Sequence, residues 1–124
     1  MKSSTRILAA AAMGIAAAVP AWAHHSHANY DSDADLVMEG QIVELHWLNP
    51  HIWINLEIMN EAGQPVVWAL EGGSISAVTT SGWTRGDLNI GDDITVRCHP
   101  LRDGSNGCLL GFITRPGRPE QEFD

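Results

Sequence analysis

Three histidines stand within four residues at His24-His25-Ser26-His27. They follow Ala21-Trp22-Ala23, a small-x-small box of the kind that a signal peptidase cuts. Cleavage after Ala23 would give His24 a free α-amine. An amine, a peptide nitrogen and imidazole rings in one short segment form a ligand set for a borderline metal such as copper or zinc. Copper(II) favours tetragonal nitrogen sites and tops the affinity series for divalent ions. His25 or His27, or a folded-back His46 or His51, would complete the set around His24. The third residue after the cut is Ser26, so a chelating motif with histidine in third place is absent. A histidine-rich tail that binds metal only adventitiously is the competing reading.

No other constellation announces a reaction. There is no zinc-spaced Cys-x-x-Cys or His-Glu-x-x-His, no Gly-x-Ser-x-Gly and no phosphate loop. Asp92 and Asp93 lie in a turn, where aspartate is common. The expectation is a binding protein rather than an enzyme.

What precedes the histidines fixes the expected compartment. Lys2 and Arg6 open the chain, Ile7 to Val19 is a short Ala-rich apolar run, and Pro20 breaks it. That order reads as a secretory signal over residues 1–23. The run is shorter than the ~20 residues that a membrane-spanning helix needs. The expectation is a protein exported to a periplasm and released there, with no span left after cleavage. The signal also carries away the only lysine. Arg85, Arg97, Arg102, Arg115 and Arg118 then face all fifteen acidic residues. So acidic a surface argues against nucleic acid or anionic lipid as a partner.

The elements that must position these groups are strands. Residues 24–35 are polar and irregular, with Asp31, Asp33 and Asp35. In 51–58 the even positions are all aliphatic and the odd ones are His51, Trp53, Asn55 and Glu57, a strand with one buried face. Before it, 41–47 sets Val43, Leu45 and Trp47 on one side and Ile42, Glu44 and His46 on the other. Asn49-Pro50 separates the two runs. Asn60 to Gln64 is a turn, and 66–71 is a third strand with Val66, Trp68 and Leu70 on one face. Ser74 is placed to cap a short helix over 75–81 that Gly82 closes, and Trp83 would pack over one end of the core. Ile94, Val96 and Cys98 define a fourth strand, and Cys108, Leu110 and Phe112 a fifth, across a hairpin loop at 103–107. The expected fold is mainly β, a small OB-like five-stranded barrel over 36–114 with one short helix between strands 3 and 4. A small open sandwich is the competing architecture. Residues 115–124 have two prolines and no periodicity, and read as a frayed tail.

Cys98 and Cys108 share the inward parity of their strands. A hairpin centred near Asp103 sets them opposite each other, as a cross-strand disulfide requires. Two packed free thiols, and then a redox or metal role, are the other readings. His46, His51 and His99 have outward parity, so ordinary polar surface competes with ligation at each. Asn49 and His51 also suit side-chain hydrogen bonds to backbone at a strand junction. Trp53 faces outward beside His51 and Asn55. With Asn49 it makes a candidate ligand face for an envelope component or partner protein.

Several stretches resemble one group of uncharacterised exported bacterial proteins. They are the His-His-Ser start, Tyr30-Asp31, Gly40-x-Ile42-Val43-Glu44, Trp47-x-Asn49-Pro50-His51, Trp68-x-Leu70-Glu71, Gly82-Trp83, Gly91-Asp92-x-Ile94-Thr95-Val96 and Pro100-Leu101-Arg102-Asp103-Gly104. That group is a domain of unknown function. The resemblance implies a small periplasmic β-barrel and no established activity. Three functions stay open on the sequence: copper or another transition metal held through His24, His25, His27, His51 or His46, a metal-free binding module, and, with no direct sign, an accessory subunit of an exported oxidoreductase.

Overall fold

The period-two run around Trp53 forms β2 (Trp53–Met59) in the computed structural model, which describes residues 27–124. The expected signal over 1–23, with His24 and His25, lies outside the described residues. Ile52, Ile54 and Leu56 are wholly buried, as their parity requires. Burying each such side chain contributes ~1.5–3 kcal/mol, which sets which face of the strand turns inward.

The other strands are β1 (Leu36–His46), β3 (Pro65–Glu71), β4 (Asp93–Pro100), β5 (Gly107–Thr114) and β6 (Gln121–Glu122). Their order in the sheet is β3-β2-β1-β4-β5-β6, antiparallel except where β3 meets β5 in parallel and closes the ring. The result is the OB-like five-stranded barrel expected from the sequence. Helix α1 (Ile75–Thr80) lies between β3 and β4, and Ser74 caps it by accepting the Ala77 N–H at 3.2 Å. β1 serves two neighbours. Its first half pairs with β4 and its second with β2, and Gln41 has a partner on each side. Gly40 makes that crossing, because a Cβ there would collide with the Glu57 carbonyl oxygen and Ile58.

Two bulges overturn the simple parity. In β1 the register slips between Ile42 and Glu44, leaving Val43 as an extra residue. Ile42, expected outside, is wholly buried, while Val43, expected inside, is only half-buried; beyond the bulge Leu45 and Trp47 face the core as expected. In β5, Arg97 pairs with Phe112 and Cys98 with Leu110, so Gly111 is extra. Ile113 therefore takes the core position expected of Phe112, and Phe112 turns out under the Arg97 guanidinium, 3.9 Å from the ring centre. The same register sets Cys108 against Pro100 rather than against Cys98. The two cysteines are diagonal neighbours with Cα atoms 5.7 Å apart, and they form the expected disulfide. Linking residues 10 apart stabilises by ~2–3 kcal/mol in the chain-entropy account.

The end of the chain also differs from expectation. Residues 121–122 pair with β5 as β6, and Phe123 is wholly buried. Its ring meets Trp83 edge-on at 5.1 Å and Trp47 at 6.3 Å. The Trp83 indole N–H donates to the Glu122 carbonyl at 2.6 Å. Trp83 thus closes one end of the barrel as expected, but it does so together with the C-terminus. One buried aromatic outweighs the entropy of holding a short tail. The substitution Phe123→Ala should cost ~3–5 kcal/mol of stability by urea denaturation. A frayed tail would give no measurable loss.

Candidate functional site

Glu71 ends β3 and is the only charged residue in the buried set among the described residues, 4% exposed. A buried carboxylate must be paired and hydrogen-bonded to persist. Its partners come from two directions. The Tyr30 hydroxyl donates to Oε2 at 2.6 Å. The His51 ring lies on the other side, with Nε2 3.5 Å from Oε1.

Each partner is held by backbone. Tyr30 belongs to a strap that crosses the barrel end. It bridges to Leu101, the Asp31 N–H donates to the Pro100 carbonyl at 2.8 Å, and the Arg102 N–H donates to the Asn29 carbonyl at 2.9 Å. Further along the strap, His99 Nδ1 donates to the Ala34 carbonyl at 2.8 Å. His51 sits where the β2–β3 ladder runs on past its strands. Ile52 N–H donates to the Gly73 carbonyl, and Gly72 N–H to the Ile52 carbonyl. His51 Nδ1 is 3.1 Å from the Gly72 carbonyl oxygen. That oxygen can only accept, so Nδ1 carries the proton, and in the neutral ring the Nε2 lone pair faces Glu71. Glycine is required at Gly72, because a Cβ there would stand 2.9 Å from the Phe123 ring.

The strand register extends this cluster into a row across the outer surface. His46 pairs with Trp53, Trp53 with Glu71, Glu71 with Leu109, and Leu109 with His99. The histidines of the row are differently engaged. His46 is exposed and lies 3.2 Å from Glu44, whose Oε2 also accepts from Asn55 at 2.8 Å. His99 uses its Nδ1 on Ala34 and meets Asp35 through the same atom at 3.5 Å.

Of the candidate ligand and ligand-face residues among the described residues, His51 alone joins the cluster. His27 lies in the 3-10 turn His27–Asn29 that leads into Tyr30. Asn49 Oδ1 accepts the Ile75 N–H at 3.0 Å and so helps start α1. Asn49 and His51 thus both bond backbone at the strand junction, one of the roles expected of them. Trp53 is half-buried between His46 and Glu71, and Asn55 is tied to Glu44, so the outward face has few free polar groups. Among the described residues no three His, Cys, Asp or Glu side chains converge as a metal site. No cysteine is free. Tyr30 and Glu71 enter the sequence reading only within the stretches of family resemblance, Tyr30-Asp31 and Trp68-x-Leu70-Glu71, with no role assigned. The signals for them are that Tyr30 is the chain's single tyrosine, and that Glu71 abuts Gly72-Gly73 at a strand end.

A model for a family of unknown function, DUF6152, matches residues 13–110. The chain belongs to that family. The match takes in Tyr30, His51 and Glu71 and stops short of Phe123. No curated protein and no solved structure matches the chain. No helix among the described residues is long and apolar enough to cross a membrane.

The cluster has a measurable signature. Burial, then the hydrogen bond to Glu71 and then the Glu71 charge push the Tyr30 phenol well above its ordinary value near 10. The folded state therefore keeps a proton that the unfolded state loses. Tyr30's contribution to stability is full below ~pH 10 and falls as pH rises above it. Absorbance reports this one tyrosine alone. Tyrosinate should appear only as the protein unfolds in alkali, and Glu71→Gln should bring it to lower pH. Ionisation near pH 10 in the folded protein would contradict the buried pairing.

Proposed function

We propose that this protein is an exported, periplasmic metal-binding domain that carries or buffers a transition metal, copper first, and does not itself catalyse a reaction. The mature chain begins at His24, which supplies its amine and ring. His25 or His27 and the strand histidine His51 complete the set. The observation that carries this reading is the Tyr30 hydroxyl bonded to Glu71, with the same carboxylate facing His51. It supports the reading by tying Tyr30, a few residues past the histidines, to the carboxylate that faces His51. His27 is three residues from Tyr30 and His24 six, so covalent length alone keeps the His24 Cα within ~22 Å of the Tyr30 Cα. His46 is less suited, because it is paired with Glu44 on the open face.

Calorimetric titration with copper(II) tests this on two forms, one beginning at His24 and one with a single extra N-terminal residue. The form beginning at His24 should bind at least ~tenfold more tightly, because the added residue displaces the chelating amine from the histidine ring. Equal binding by both forms, at micromolar strength or weaker, would overturn the reading and leave a metal-free binding module.

A further inference from the structure

We propose that Glu71 is a metal ligand, and that Glu71 Oε1 and His51 Nε2 together form the barrel's own half of the site. This rests on the proposed function and adds an oxygen donor to it. The pair stands apart from the other two His–carboxylate contacts among the described residues. The His51 lone pair and the carboxylate oxygen face each other across 3.5 Å. Two acceptors at that range repel unless a proton or a cation lies between them. Among the described residues Oε1 accepts no hydrogen bond, and the His51 side chain is 31% exposed, so an ion has a way in.

The groups behind the pair are those that ligands need. A metal-binding histidine donates its other ring N–H to a carbonyl or carboxylate, which fixes the tautomer and aims the free nitrogen. His51 does so through Gly72. A ligating carboxylate is held by a hydrogen bond to its other oxygen. Tyr30 does so at 2.6 Å. The span is also right. Bonds of ~2.1 Å to nitrogen and oxygen at a tetrahedral angle set the two donors ~3.4 Å apart. The pair therefore suits a four-coordinate ion of the zinc class, and copper(II) in a square plane requires it to close by ~0.5 Å. The other two pairs fail on the same criteria. His99 meets Asp35 through the nitrogen already used on Ala34, and His46 and Glu44 are more than half exposed, with Glu44 shared by Asn55. Two protein donors leave two positions of a four-coordinate ion open.

The test is zinc titration of the protein beginning at His24, together with Glu71→Gln, His51→Gln and Tyr30→Phe. Nitrogen-15 NMR of the His51 ring serves as a second readout. The amide in Glu71→Gln still accepts from Tyr30, so the strap stays in place. Zinc should move the His51 Nε2 resonance away from its lone-pair position in the unsubstituted protein. Glu71→Gln and His51→Gln should each weaken binding by at least ~100-fold, and Tyr30→Phe by ~10-fold. Tight binding that Glu71→Gln leaves unchanged would overturn this inference and spare the proposed function. Absence of both zinc and copper binding in the unsubstituted protein would overturn both.

Discussion

A carboxylate out of water is the constraint around which this barrel is arranged. Taking Glu71 from solvent costs several kcal/mol, and only close partners offset it. One of them, Tyr30, lies 41 residues away in sequence. The short Tyr30–Glu71 hydrogen bond is charge-assisted, the strongest kind available to a neutral donor. Holding that hydroxyl in place requires the strap from residue 27 to residue 35 to lie on the barrel, which it does through backbone bonds to Pro100 and Arg102 and a bridge to Leu101. An apolar residue at position 71 would remove the penalty and with it the need for the strap. The carboxylate fixes Tyr30, and with it the strap, on the side of Glu71 away from His51.

The rest of the barrel serves to present that corner. β3 and β5 close the ring in parallel just where Glu71 ends its strand, so Glu71 has β2 on one side and β5 on the other. Behind it, Phe123 packs against Gly72 and under Trp83 and Trp47. The two ends of the described chain thus converge on one end of the barrel. The strap covers the outer face of Glu71, and the C-terminal residues fill the core behind it. The disulfide ties β4 to β5 close to where the strap crosses them.

The sequence was legible wherever a strand obeyed its period. β2, β3 and β4, the capped helix and the barrel order all follow from alternation and turn chemistry. It misled wherever one inserted residue reversed a face. Val43 is an ordinary strand residue by type and nothing local marks it as a bulge, whereas Gly111 carries the local signal that a glycine inside a strand gives. Ile42, Phe112 and Ile113 therefore lie on the opposite sides from those their alternation predicts. Phe123 was missed because a two-residue strand has no period to read. Glu71 has no legible role because an outward glutamate at a strand end looks solvated, and its burial depends on the distant Tyr30, which closes over it. His51 was legible as a candidate, and its carboxylate partner was not, since the pairing spans a β-hairpin.

The fold and the family leave the chemistry to the corner itself. There, an oriented imidazole and a hydrogen-bonded carboxylate stand beside a strap that leads from a histidine-rich start, on an acidic barrel. The most direct measurement is anomalous diffraction at the zinc edge from zinc-soaked crystals of the protein beginning at His24. The account predicts one dominant peak at bonding distance, ~2.0–2.2 Å, from both His51 Nε2 and Glu71 Oε1. Zinc density confined to His24, His25 and His27, with His51 and Glu71 joined only by a proton, would contradict it.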